Sequence, residues 1–195
     1  MTLAEKVKSV EEIFQSLDVE IAAFKNWSGL NCAPGCGKCC LKPDIQATVL
    51  EFLPLAYHRF KTEGYSPVLY ERALQEEEGL CVILDQKSTK GMCGQYTYRG
   101  MICRLFGYSA RLNKLNQAEI LTCNVIKTEQ ATPFQQAAVL IQVGDRTVPV
   151  MARYYMQLLA IDAELGKTLY PVNTAIRKAF ETVMHYYSYR EMSED

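Results

Sequence analysis

Three things are scarce or missing in this chain of 195 residues: histidine, an excess of charge of either sign, and any long apolar run. Only two histidines occur, His58 and His185, both within segments that read as helices. A catalytic thiol–imidazole pair therefore has little to build on, and a surface or packing role is the simpler reading of each. Lys and Arg number 21 against 22 Asp and Glu, for a net charge of −1. No overall field directs such a chain to nucleic acid or to a membrane surface. No apolar run approaches the ~20 residues that crossing a bilayer takes. The N-terminal stretch MTLAEKVKSVEEIF is charged and amphipathic, without the apolar stretch of about 7–15 residues or the small-residue cleavage site of a secretory signal. The expected location is the cytoplasm, where Asn26-Trp27-Ser28 has no meaning as a glycosylation acceptor.

Enough apolar material is present to bury a core without disulfides, since 49% of residues are hydrophobic. The expected fold is a mostly helical α+β single domain over residues 1–195: an N-terminal helix (1–28), a cysteine-bearing core with a small irregular β element (30–125), and C-terminal helices (130–195). Thr2 and Glu5 form a capping box ahead of a helix over 2–26. Leu3, Val7, Val10, Phe14, Leu17, Ile21 and Phe24 follow in a/d spacing, a face that packs on its own domain or offers a seam for a homodimer. Asp44 reads as the cap of a helix over 45–60 that Pro54 kinks or divides. Ser66-Pro67 opens another, to about Glu78, and the Glu76-Glu77-Glu78 run reads as its solvated end. Leu80–Leu84 reads as a strand, and 102–110 with 118–126 as a hairpin closed by Asn113–Gln117. Helices are expected over 147–165, with Gly166 just past its end, and over 172–189.

What the chain does have is cysteine. Eight occur: Cys32, Cys36, Cys39, Cys40, Cys81, Cys93, Cys103 and Cys123. In a reducing compartment, clustered thiols point to metal more than to disulfides, and a disulfide framework would need an oxidising environment that the N-terminus does not suggest. Cys36-Gly37-Lys38-Cys39 has the spacing of a metal knuckle, bent beforehand by Pro34-Gly35, and Cys32 can add a third ligand. Cys39 and Cys40 are adjacent. In an extended segment they would face opposite sides, so Cys40 would serve a second site or a larger cluster. Thiolate softness selects zinc, an iron–sulfur cluster or Cu(I) over Mg or Ca. Eight thiols suit two zinc sites of four thiolates each, or one four-cysteine 4Fe-4S cluster with thiols to spare. A tetrathiolate centre carries about −2. Cations are accordingly expected nearby, and between Asp85 and Glu119 no acidic residue occurs while Lys87, Lys90, Arg99, Arg104, Arg111 and Lys114 do. Lys38 and Lys42 flank the first cluster. The same charges suit a surface for an anion, with Tyr96, Arg99 and Arg104 as its contacts. Tyr96, Tyr98, Phe106 and Tyr108 among these cations could stack bases, but such alternation is more often a strand face on the core, and nucleic acid is not the expected partner.

The full pattern is more specific than its parts. A four-cysteine group ending in Cys39-Cys40, then Cys81, then Cys93-x-x-Tyr96, Arg99, and Cys103-Arg104-x-Phe106, with Cys123 last, resembles the YkgJ-type cysteine-cluster family over roughly 30–125. That resemblance implies chelation of zinc or iron. Gly100 departs from the family's usual Pro after Arg99, which implies a looser turn. The flagellin lysine methylase, a relative of this family, is associated with an iron–sulfur cluster. Methyl transfer does not carry over, because no G-x-G-x-x-G suggests a nucleotide-type cofactor fold here. Two readings stay open: a metal-binding module that holds its metal for structure or presents a surface to a protein partner, and an iron–sulfur enzyme or electron carrier acting on an anionic or protein substrate.

Overall fold

The computed structural model describes residues 1–33, 36–65, 67–76, 79–85 and 92–191. Helix α1 (Leu3–Ser28) begins as its sequence dictates. Thr2 accepts from the Glu5 amide at 3.3 Å while the Thr2 amide donates to Glu5 Oε2 at 2.7 Å. It ends at Gly29, whose φ of +70° suits a residue without Cβ. All seven a/d residues from Leu3 to Phe24 are buried, and they are buried by this chain's own helices. The seam that could have served a homodimer is thus occupied inside the fold.

After α1 come strand β1 (Gln46–Ala47), a 3-10 turn (Leu50–Phe52), α2 (Leu53–Glu63) and α3 (Val68–Gln75). The helix expected over 45–60 starts late. Pro54 sits in the first turn of α2, where its missing N–H costs nothing, and Asp44 caps no helix. Pro67 precedes α3 rather than opening it. The Ser66 cap, the Pro34-Gly35 bend, Glu77, Glu78, Lys87 and Lys90 lie outside the described residues.

The expected strand at 80–84 shrinks to β2 (Leu84–Asp85), paired antiparallel with β3 (Met92–Cys93). The reason is Asn173, buried on the last helix. It accepts from the Val82 amide at 3.0 Å and donates to the carbonyls of Leu80 at 3.0 Å and Glu76 at 2.6 Å. Backbone groups held by a side chain have no need of a strand partner. Residues 102–105, expected extended, lie in the short helix α4 (Met101–Leu105). The hairpin follows as β4 (Ser109–Leu112) and β5 (Ala118–Leu121), with Asn113–Gln117 as the loop.

Helices α5 (Asn124–Glu129) and α6 (Ala131–Gln142) come next; the sequence reading had no boundaries for either. The helix expected over 147–165 is interrupted. α7 (Met151–Ile161) stops at Asp162, which caps α8 (Ala163–Gly166) by accepting from Glu164 and Leu165 amides and pairs with Lys6 at 2.6 Å. Strand β6 (Tyr170–Pro171) pairs with β1, and α9 (Val172–Glu191) closes the order. The result is a mostly helical α+β fold, 60% helix with small antiparallel strands. One cluster of buried residues runs from Leu3 through Phe52, Met101 and Tyr154 to Phe180 and Val183. No helix among the described residues is long and apolar enough to cross a membrane.

Candidate metal centre

All eight cysteines line one cavity of about 550 Å³. They reach it from the loop after α1, from the turn before β2, from β3, from α4 and from the residue before α5. Each approach has its own local cause. Gly37 takes φ of +54°, and the Cys40 amide closes a turn on the Gly37 carbonyl at 2.9 Å. Cys39 and Cys40 therefore lie in a turn, not an extended segment, and their sulfurs stand 3.9 Å apart. This corrects the expectation that they face opposite sides. Two sulfurs on one tetrahedral ion at ~2.3 Å would stand about 3.8 Å apart. Cys32 is placed by its amide's hydrogen bond to the Tyr108 hydroxyl at 2.6 Å. Beside it, Asn31 and Gln130 exchange two bonds, at 3.0 and 2.6 Å, which fasten this loop to the α5–α6 junction. Cys123 caps α5, its sulfur accepting from the Ile126 amide at 3.4 Å.

The thiols feel one another. Burial first, then Cys36, Cys123 and Cys39, push Cys32 up to about 11. A hydrogen bond from Cys40 pulls Cys39 down to about 6, with Arg99 helping, and the same bond drives Cys40 up, with Cys81 and Cys103 adding to the effect. Burial raises Cys81 to about 11 and raises Cys93 and Cys103 as well, each also feeling Cys39. Among the described residues, no three His, Cys, Asp or Glu side chains stand close enough together to hold one ion as placed. Neither histidine lines the cavity. His58 bonds Glu11 at 2.7 Å and stacks on Tyr98, and His185 packs edge-on against Tyr189. A second cleft, of about 760 Å³, shares the wall at Cys81 but holds no other cysteine.

The three residues expected to contact an anion part company. Tyr96 and Arg99 line the cavity, the guanidinium lying 4.1 Å over the ring. Arg104 does not line it. It is buried, ion-paired with Asp18, 4.5 Å over Phe14, and donates to the carbonyls of Thr97 at 2.6 Å and Arg99 at 3.2 Å. Its charge is committed, so it braces α4 against α1 instead of facing a ligand. From the other side Glu51, fully buried, accepts from the Ile102 amide at 2.7 Å and from the Thr48 amide at 2.8 Å. Cys103 stands between these two anchors. Glu51 escaped the sequence reading, although one acid within the apolar run VLEFLPLA was the signal available. Lys25 escaped too: it sits on α1, 5.2 Å over Tyr108, and lines the cavity.

Gly100 has a φ of −63°, a value proline also adopts. The space is missing: a Cβ there would lie 2.9 Å from Phe52 Cζ and 3.2 Å from Glu51 Oε2.

Residues 31–131 match the CxxCxxCC family, described as a "putative zinc- or iron-chelating domain". The chain belongs to that family. In this CxxCxxCC member three residues, not two, separate Cys32 from Cys36. No curated protein and no solved structure matches the chain. The donor set suits the metals of the CxxCxxCC description: soft sulfurs converge, two of them at 3.9 Å, and no Asp or Glu is among the described lining residues.

Proposed function

We propose that this chain acts as a single-domain metal-binding protein whose thiolates hold zinc or an iron–sulfur cluster. The cysteines Cys32, Cys36, Cys39, Cys40, Cys81, Cys93, Cys103 and Cys123 supply the ligands. One observation carries the reading: eight cysteines from separate stretches of chain line the same cavity. A second supports a structural role for the metal. β2 and β3 have two residues each and α4 has five, lengths that hold together poorly unaided. Ligand binding energy at such a site is folding energy, so the metal would fix the cysteine segments to the helical frame.

The test is anaerobic purification without a metal-affinity step, followed by elemental analysis and an absorption spectrum. Zinc with no visible colour identifies a zinc protein; iron with sulfide and a broad visible absorption identifies a cluster. In either case, replacing Cys39 and Cys81 by Ser lowers the bound metal. A protein that carries neither metal, and whose eight thiols all react with a thiol reagent while still folded, overturns the reading.

A further inference from the structure

The cavity has more room than the sulfurs require. A water needs about 10–15 Å³ of such space, against about 550 Å³ here. Its charge is also lopsided. Lys25, Lys38, Lys42 and Arg99 line it, and no carboxylate does among the described residues. Arg99 is the most telling. Its guanidinium carbon lies 4.1 Å over the Tyr96 ring, at the cavity wall. The neighbouring wall is apolar, formed by Phe52, Ile83, Phe106 and Ile126.

We infer that the cavity binds a small organic carboxylate beside the metal centre, its carboxylate on Arg99 and the cavity lysines and its apolar body on Phe52, Ile83 and Phe106. The position beside a centre rests on the metal-thiolate reading; the cations and the apolar wall do not. Arginine's planar fork fits a carboxylate with two parallel hydrogen bonds, and stacking on Tyr96 holds the fork in one orientation.

Calorimetric titration of the protein as purified tests this, with 3-phenylpropionate and inorganic phosphate as probes and zinc and iron measured on the same samples. Expected are one saturable phenylpropionate site per chain, weaker phosphate binding, and no effect of Lys8→Gln on the exposed face of α1. Arg99→Gln should weaken phenylpropionate by about tenfold or more, as loss of a charge-assisted hydrogen bond does, when variant and wild type are compared at matched metal content. Arg99→Lys should recover part of the loss. Should Arg99→Gln lose its circular dichroism spectrum, Lys25→Gln gives the same reading at a second cation. No saturable binding, or phosphate binding tighter than phenylpropionate, overturns the inference. So does a wild type that binds neither probe but loses its metal on Arg99→Gln, because the cations then only balance thiolate charge. Phenylpropionate binding by a folded sample free of zinc and iron, with all eight thiols reactive, leaves the anion site standing and refutes the metal reading alone.

Discussion

In α1, twenty-six residues obey one repeated rule: an apolar side chain every three or four positions, a cap at one end, a left-handed glycine at the other. Between Cys36 and Cys40, a few residues further on, no rule repeats. A left-handed Gly37 and a turn bond of 2.9 Å place two sulfurs, and nothing periodic supports them. The frame of α1, α2, α7 and α9 is held by apolar burial, which is additive and non-directional. The cysteine region shares that burial at Cys81, Val82, Ile83, Met101 and Leu105, but its thiols are placed by single directional contacts: Asn173 on Val82, Glu51 on Ile102, Arg104 on Asp18, Tyr108 on Cys32. The first kind of region withstands the loss of one contact. In the second, each contact sets the position of a thiol, so function is lost before stability is.

Removing the metal should sharpen this contrast most. Structural zinc contributes about 10–16 kcal/mol to small peptides that fold only with it. Here the loss should fall on residues 36–43, 81–85 and 92–105, whose amides lose protection from hydrogen exchange on chelation, while α1 and α9 keep theirs. Uniform loss across the chain would erase the distinction between the regions. Next in size is Phe180→Ala. Phe180 is fully buried in the frame, and its truncation should cost about 3–5 kcal/mol in urea unfolding. That cost should be the same with metal bound or stripped. A cost that appears only in the metal-bound protein would show that the frame relies on the cysteine region.

Legibility in the sequence follows the same division. The capping box, the seven buried a/d residues and the last helix could be read because periodicity is local information. The eight cysteines were legible as one set because their number and order are unusual. Their arrangement was not. Whether Cys39 and Cys40 diverge depends on a turn, and what Arg104 does depends on Asp18, 86 positions away. Asn173 reaches back over 90 positions to undo an expected strand. The helix break at Asp162 is fixed partly by Lys6, 156 residues earlier. α6 is a different kind of omission: Pro133 in its first turn and Gly144 just past its end were readable signals.

Glu51→Gln probes one directional contact. The carboxylate accepts from Thr48 and Ile102 amides on different oxygens; an amide must turn its NH2 toward one of them. Leaving a buried donor unsatisfied costs about 1–3 kcal/mol. The effect on metal should be larger in proportion, because Ile102 precedes Cys103 and outer-shell partners are worth about 10–100-fold in affinity. Competition against a chelator checks this. Metal affinity unchanged by a substitution that does destabilise the fold would show that Cys103 needs no brace.

The smallest effect concerns the sign of two pH slopes. Burial raises the Asp162 carboxyl, but Lys6 at 2.6 Å and the amides of Leu165 and Glu164 outweigh it, and its pKa falls below the ordinary value. A depressed carboxylate contributes stability above its ordinary pKa of about 3.9 and loses it as pH drops through the folded value. Asp162→Asn should therefore flatten the acid side of the stability curve, by up to about 1 kcal/mol for the ion pair, since Asn still caps α8. Glu51 runs the other way. Burial outweighs its hydrogen bonds and raises its pKa, so the folded state holds its proton more tightly than the unfolded chain does. Its contribution is then full below the ordinary value of about 4.3 and declines as pH rises toward the folded one. In urea titrations between pH 3 and 7, the two substitutions should change the slope in opposite directions. Slopes of the same sign would mean that Glu51 is held by its donors as firmly as Asp162 is by Lys6, and that the carboxylate beneath Cys103 stays charged throughout.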